Sequence, residues 1–171
     1  MNEQVITKAV EEVLRNMSSG HDSHKHTCKC KKHKMSLALA KSLIEKVENK
    51  ATEIGLAAVI AVSDQAGRLI AVHCMDDAFI ASYDIAVNKT FTSAGLKMST
   101  AELAKLAQPG QPLYGIQHTN EGKIVIFGGG EPLEVDGKII GALGVSGGTA
   151  EQDTMLAAYG KEIFKEVISC L

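Results

Sequence analysis

The chain has 171 residues, enough for one domain with a packed core. Its 45% hydrophobic and 22% charged content is that of an ordinary globular protein. A formal net charge of −2, no Trp and 4% aromatic residues argue against a nucleic-acid partner, and no apolar run approaches the ~20 residues that span a bilayer, so no membrane partner is expected.

Residues 3–17 place Ile6, Val10, Val13, Leu14 and Met17 at helical spacing, with Glu11, Glu12 and Arg15 on the other side. The acidic residues and the lack of a continuous apolar stretch do not match a secretory signal. An isolated helix this short is marginal in water and needs a surface to lie against. Residues 18–35 follow without apolar periodicity, as expected of a flexible linker. Within them "GHDSHKHTCKCKKHK" (20–34) holds four His, two Cys and five Lys. Such a segment can take up Zn²⁺ or Ni²⁺ adventitiously, but its spacing matches no closed structural zinc site, and it serves equally as a soluble spacer. The four cysteines do not form a disulfide framework: Cys28 and Cys30 are too close together, while Cys74 and Cys170 sit in apolar elements. A reducing cytosol is expected.

From Ser36 onward the pattern is that of alternating elements. Leu37, Ala40, Ile44, Val47, Ala51 and Ile54 repeat at spacings of three and four, and Gly55 is placed to end that helix. "LAAVIAVSD" (56–64) is a continuous apolar run, expected of a strand covered on both faces. "DQAG" (64–67) turns it into a second strand, "RLIAVHCM" (68–75). Ser82 is expected to cap a helix running to about Leu96, and "STAE" (99–102) is a capping-box pattern for a short helix ending near Ala107. "KIVIF" (123–127) predicts a further strand, then a glycine bend and a hairpin turning at Asp136–Gly137. Thr149 with Gln152 forms another capping box, opening a C-terminal helix with Leu156, Ile163, Val167 and Cys170 on its apolar stripe. Strand pairs interrupted by helices, without a βαβ repeat, predict an α+β sandwich with a mainly antiparallel sheet.

Within this domain the chemistry is sparse. "FGGGEP" (127–132) lacks the lysine and spacing of a phosphate loop, so its glycines are expected to permit a bend or a close backbone approach. "GVSGGTAEQD" (144–153) runs from a buried strand into a helix N-terminus, where backbone N–H groups favour an anion; a tight, well-capped turn is the plain alternative. In "HCMDDA" (73–78), Asp76 and Asp77 can act as base or acceptor, or simply cap the next segment. Lys89 lies inside an apolar helix, either reaching a pocket or snorkelling. No Ser/His/Asp, Cys/His or HExxH arrangement is present.

The segments "VSDQAGRLIAVHCMDDA", "DIAVNKTFTSAG", "MSTAEL" and "GGGEPLEVDGKIIGALGVSGGTAEQD" together resemble the GlcG-like family, which includes HbpS-type haem-binding proteins and the C-terminal domain of PduO-type corrinoid adenosyltransferases. The resemblance covers roughly residues 36–170, in order and without large gaps. It implies a profilin-like sandwich, a five-stranded antiparallel sheet flanked by helices, assembled into dimers or octamers and binding haem non-covalently, with a corrinoid as the second candidate. The family's Asp–Gly turn falls on Asp64 and Gly67, its Lys-containing helix motif on Lys89 to Ser93, and its glycine-rich turn on Asp136 to Asp153. Cys74 stands where the family usually has Arg, Asp77 where it has Gly, and Thr90 and Ser93 where it has Ala, so an anion-binding role for that Arg does not carry over. The adenosyltransferase domain has no counterpart, and cobalamin adenosylation is not expected.

Beside this resemblance, residues 1–17 look like the encapsulation peptides that direct proteins into bacterial microcompartments, near which PduO-type proteins work. The resulting expectation is a cytoplasmic, microcompartment-associated haem- or tetrapyrrole-binding homo-oligomer, with residues 3–17 docking on shell or cargo proteins, 18–35 as linker and 36–171 as the GlcG-like domain. Iron takes imidazole or thiolate, so His33, His26, Cys28 and Cys30 are the candidate ligands, with His73 and His118 as second choices. Absence of CxxCH disfavours covalent attachment. Lys89, Asp76, Gly144 and Ser146 complete the candidate cofactor-binding set. Two other expectations stand alongside: a small-molecule enzyme with its site at the Gly144–Asp153 turn, and a ligand-free scaffold linking cargo to shell.

Overall fold

The computed structural model of the chain describes residues 34–169. The N-terminal helix expected over residues 3–17, the His/Cys/Lys segment up to His33 and Cys170 lie outside them. Helix α1 (Leu37–Glu53) starts where Ser36 Oγ accepts the Leu39 N–H at 3.1 Å, and Gly55, at φ 69°, lets the chain leave it. The expected stripe is buried at Ala40, Ile44, Val47 and Ala51, whereas Leu37 and Ile54, at its two ends, remain exposed.

Strands β1 (Val59–Asp64) and β2 (Leu69–Cys74) form the expected hairpin, and Asp64 builds its turn. One carboxylate oxygen of Asp64 accepts the Ala66 and Arg68 N–H groups, and the other accepts from the Arg68 guanidinium. Partial burial works against ionisation, but those hydrogen bonds outweigh it and hold the Asp64 carboxyl below its usual range. Helices α2 (Ser82–Leu96) and α3 (Thr100–Leu106) follow, the latter opened by the predicted capping box between Ser99 and Glu102. Strands β3 (Gly130–Val135) and β4 (Lys138–Ser146) turn at Asp136 and Gly137, whose φ values of 50° and 71° are those of the Asp-Gly hairpin turn. Helix α4 (Ala150–Ser169) closes the domain from the predicted Thr149–Gln152 box.

The four strands make one antiparallel sheet in the order β2–β1–β4–β3. Helices α1 and α4 cover one face around a core that includes Leu43, Ile44, Ile60, Val62, Leu143, Leu156 and Phe164. Helix α2 lies on the other face, against β1, β3 and β4. Central β1 is therefore covered on both sides, which explains its unbroken apolar run.

Two sequence expectations need correcting. The resemblance implied five strands; the described residues contain four, and 124–126, where the sequence predicted a strand, join no ladder. Instead the Val125 N–H donates to Thr92 Oγ1 at 3.0 Å, and that hydroxyl donates to the carbonyls of Asn88 and Lys123. A helix side chain thus takes the place of a neighbouring strand. Ser82 does not cap α2: the cap position is Ala81, and Ser82 is buried with its hydroxyl accepting from Ser146 Oγ at 3.2 Å. Among the described residues no helix is long and apolar enough to cross a membrane.

Candidate functional site

The strongest electrostatic feature of the domain lies between α2, the glycine bend and the start of α4. Lys89 is completely buried, and its Nζ donates to Asp153 Oδ2 at 2.8 Å and to the Val145 carbonyl at 2.7 Å. The Phe127 ring covers the same ammonium, 5.0 Å from its centroid. Burial pushes the Lys89 pKa down, and the Asp153 carboxylate opposes that shift. Lys89 therefore neither snorkels nor opens into a pocket; it is the hub of a closed structural knot.

Asp153 joins that hub to the β4–α4 turn. Its Oδ1 accepts the Gly147 and Gly148 N–H groups at 3.1 and 3.0 Å, while Gln152 Oε1 accepts from Thr149 N. The Glu151 carboxylate is held below its usual range by its own N–H and by the Thr149 hydroxyl. The donors that suggested an anion site at Gly144–Asp153 are thus occupied by the chain's own Asp153, Gln152 and Glu151. Gly144 serves packing: a Cβ there would run into the Ala86 carbonyl of α2. Ser146 is buried against Ser82. At the first turns of α4, Ala150, Glu151, Thr154 and Met155 line an open depression of about 390 Å³; the first two fall within the Gly144–Asp153 turn that the sequence offered as an alternative site, the other two just beyond it.

The second polar feature lies at the opposite sheet edge. His73 on β2 faces α1, and its Nδ1 lies 2.9 Å from Glu48 Oε1, with the imidazole about one-third exposed. Cys74 beside it is a free, exposed thiol. Asp76 and Asp77 are exposed beyond the strand, and Asp77 has φ 65°, the left-handed backbone that suits the glycine expected there. His118 is exposed on a 3₁₀ turn (Ile116–His118), beside Gln117. Among the described residues no three His, Cys, Asp or Glu side chains converge as a metal site.

A model of the family described as haem-degrading protein HbpS-like matches residues 35–162. The chain belongs to the HbpS-like family. A 15.0 kDa protein from the dhaT–dhaS intergenic region of Citrobacter freundii is 47% identical over 133 residues, which is 78% of this chain and 94% of that one. The crystal structure of the Klebsiella pneumoniae protein ORFY is 44% identical, with a TM-score of 0.75 over 80% of this chain and 95% of that one. The crystal structure of a PduOC–haem complex is 34% identical, with a TM-score of 0.73 over 76% of this chain and 94% of that one.

On this HbpS-like frame the sequence candidates separate. Lys89, Gly144 and Ser146 meet around α2 and the β4–α4 turn, where they hold the fold. Asp76 stands apart from them, beyond the end of β2. His33, His26, Cys28 and Cys30 lie outside the described residues. Sequence reasoning missed the Lys89 partnership with Asp153. The available signal was a lysine amid apolar helix neighbours, since a fully buried lysine requires an opposite charge. It also missed Glu48 as the partner of His73, although Glu48 stands in α1 where nothing marks it from any exposed helix glutamate.

Proposed function

We propose that this protein binds haem non-covalently, as a tetrapyrrole-storing or -delivering member of the HbpS-like family, with an imidazole as axial ligand. The observation that carries the reading is the likeness to the PduOC–haem complex, which spans 94% of that chain. The donor set fits the group. An iron-bound histidine commonly has its second ring nitrogen held by a carboxylate, and the Glu48–His73 pair has that form, with Nε2 of His73 unpartnered among the described residues. His33 is the candidate nearest the domain from the linker, with His26, Cys28 and Cys30 farther along it. Haem supplies a redox-active iron and two propionates; the lysines of 20–34 supply cations for the latter.

Haemin titration of the full chain tests this. A Soret band is expected, and changing the axial residue among His33→Ala, His73→Ala, Cys28→Ser and Cys30→Ser should shift it. Glu48→Gln should weaken binding by about tenfold or more if His73 is the ligand. A Soret position and affinity that stay constant through the whole series would reduce the linker to a spacer and His73 to a strand residue.

The proposal extends to address and architecture. Residues 36–171 act as the haem-binding domain, and residues 3–17 act as a microcompartment address through the stripe Ile6, Val10, Val13, Leu14 and Met17. The paired change Val10→Glu and Leu14→Glu puts charge on that stripe. It is expected to abolish co-localisation with shell proteins while leaving the thermal transition of the domain in place. Continued entry of the double variant into compartments would show that the address lies elsewhere.

A further inference from the structure

The open end of the β1–β2 hairpin is closed by a sulfur atom. Ala58 stands opposite Met75, one step beyond the pair Val59 and Cys74. The Met75 N–H donates to the Ala58 carbonyl at 3.1 Å, as an antiparallel ladder requires. The return bond lacks its usual acceptor. The Met75 carbonyl instead accepts the Ala78 N–H at 3.2 Å, across the turn in which Asp77 has φ 65°. The Ala58 N–H goes to Met75 Sδ, at 3.4 Å.

Both partners of that contact are confined. Ala58 is fully buried, and a Cβ on Gly147 would lie 2.6 Å from its Cα, so the chain leaving β4 backs directly onto it. A buried N–H that loses its acceptor in such a place costs free energy, because water does not replace the bond. Met75 is half-buried against the core beneath α1 and α4. Two residues earlier, on the same face, His73 meets Glu48 of α1.

A thioether is a weak acceptor, and it is oxidised readily. A peroxide transfers one oxygen to sulfur: its O–O bond breaks, an S–O bond forms, sulfur loses two electrons, and the peroxide leaves as water or an alcohol. An N–H···O bond alone spans about 2.9 Å, so no oxygen fits between sulfur and nitrogen in the 3.4 Å gap. The sulfur has to withdraw, and the polar sulfoxide no longer suits the apolar side chains that hold Met75.

We propose that Met75 is an oxidant-sensitive latch: a peroxide converts it to the sulfoxide, the Ala58 N–H is released, and the end of β2 that carries His73 comes loose from β1. Haem plays no part in this step, and the test uses the haem-free protein.

The full chain is treated with hydrogen peroxide after Cys74→Ser has removed the adjacent exposed thiol. Peptide mass spectrometry follows each methionine, and amide exchange follows residues 56–60. Met155, 47% exposed, sets the rate of an open thioether, and Met35, 6% exposed, that of a buried one. Met75 is expected to gain one oxygen after Met155 and before Met35. Exchange at Ala58 should then rise about tenfold or more, the consequence of one lost buried hydrogen bond. Met75→Leu keeps the apolar bulk without the sulfur. Its Ala58 amide should exchange fast before treatment and should not respond to peroxide. Three outcomes would overturn the proposal: a Met75 still reduced once Met35 is oxidised, an oxidised Met75 with unchanged exchange at Ala58, or an equal response to peroxide in the Met75→Leu protein.

Discussion

Replacing Lys89 with Met is expected to remove about 3–5 kcal/mol of folding free energy, the usual consequence of leaving one charge of a buried pair uncompensated. Against a total of about 5–15 kcal/mol for a domain, that brings the protein close to unfolding at moderate temperature. The cause is local. Asp153 is 3% exposed, and its Oδ2 loses the ammonium 2.8 Å away, while the Val145 carbonyl loses its donor at 2.7 Å. Adding Asp153→Asn should recover much of the loss. The amide removes the stranded charge, and its oxygen can still accept the Gly147 and Gly148 N–H groups. Urea unfolding monitored by circular dichroism measures both variants, with a lowered midpoint at unchanged slope for Lys89→Met. A Lys89→Met protein as stable as wild type would mean that the pair contributes nothing net. A double variant no better than the single would mean that the cost is packing rather than charge.

The same knot marks the limit of what the sequence discloses. Features set by neighbours in the chain are legible: the α1 stripe, the Ser99–Glu102 and Thr149–Gln152 boxes, the Asp136–Gly137 turn and the doubly covered β1. Helix α2 is different, because the side it buries includes Lys89, Thr90, Thr92 and Ser93 alongside Ala86 and Ala94. Apolar periodicity cannot reveal a face that packs through hydroxyls and one ammonium. Residues 123–127 fail for a related reason: their composition is that of a strand, but the partner for Val125 N is the Thr92 hydroxyl, 33 positions earlier. At the site, Lys89 stands out in its helix, yet Asp153 is 64 positions away. Long-range pairing of this kind is a property of topology, so the sequence leaves the glycine-rich turn open between an anion site and a plain capped turn, and only the structure shows Asp153 accepting the Gly147 and Gly148 N–H groups.

Gly129→Ala is expected to be the most damaging substitution in the glycine bend. The three glycines there are not equivalent. A Cβ on Gly128 would run into Thr154 Oγ1, a hydroxyl that can rotate away, and one on Gly130 would first meet the side chains of Ser93 and Thr100. A Cβ on Gly129 would come within 2.6 Å of both Lys89 Nζ and the Val145 carbonyl, and within 2.8 Å of Asp153 Cβ. The Val145 side cannot retreat, because its N–H is bonded to the Gly129 carbonyl at 2.8 Å. Gly129 also has φ 110°, a backbone that alanine adopts only under strain. Backbone strain of roughly 1–3 kcal/mol and overpacking of roughly 1–3 kcal/mol add to a loss comparable with that of Lys89→Met. The two changes share one space, so they should not be additive. In the Lys89→Met background the ammonium has gone and a flexible thioether can yield, so Gly129→Ala should cost about 1 kcal/mol less there than in the wild type. Urea midpoints for the four members of this cycle give the coupling directly. Strict additivity would place the damage in the backbone of the bend alone and remove Lys89 from the argument.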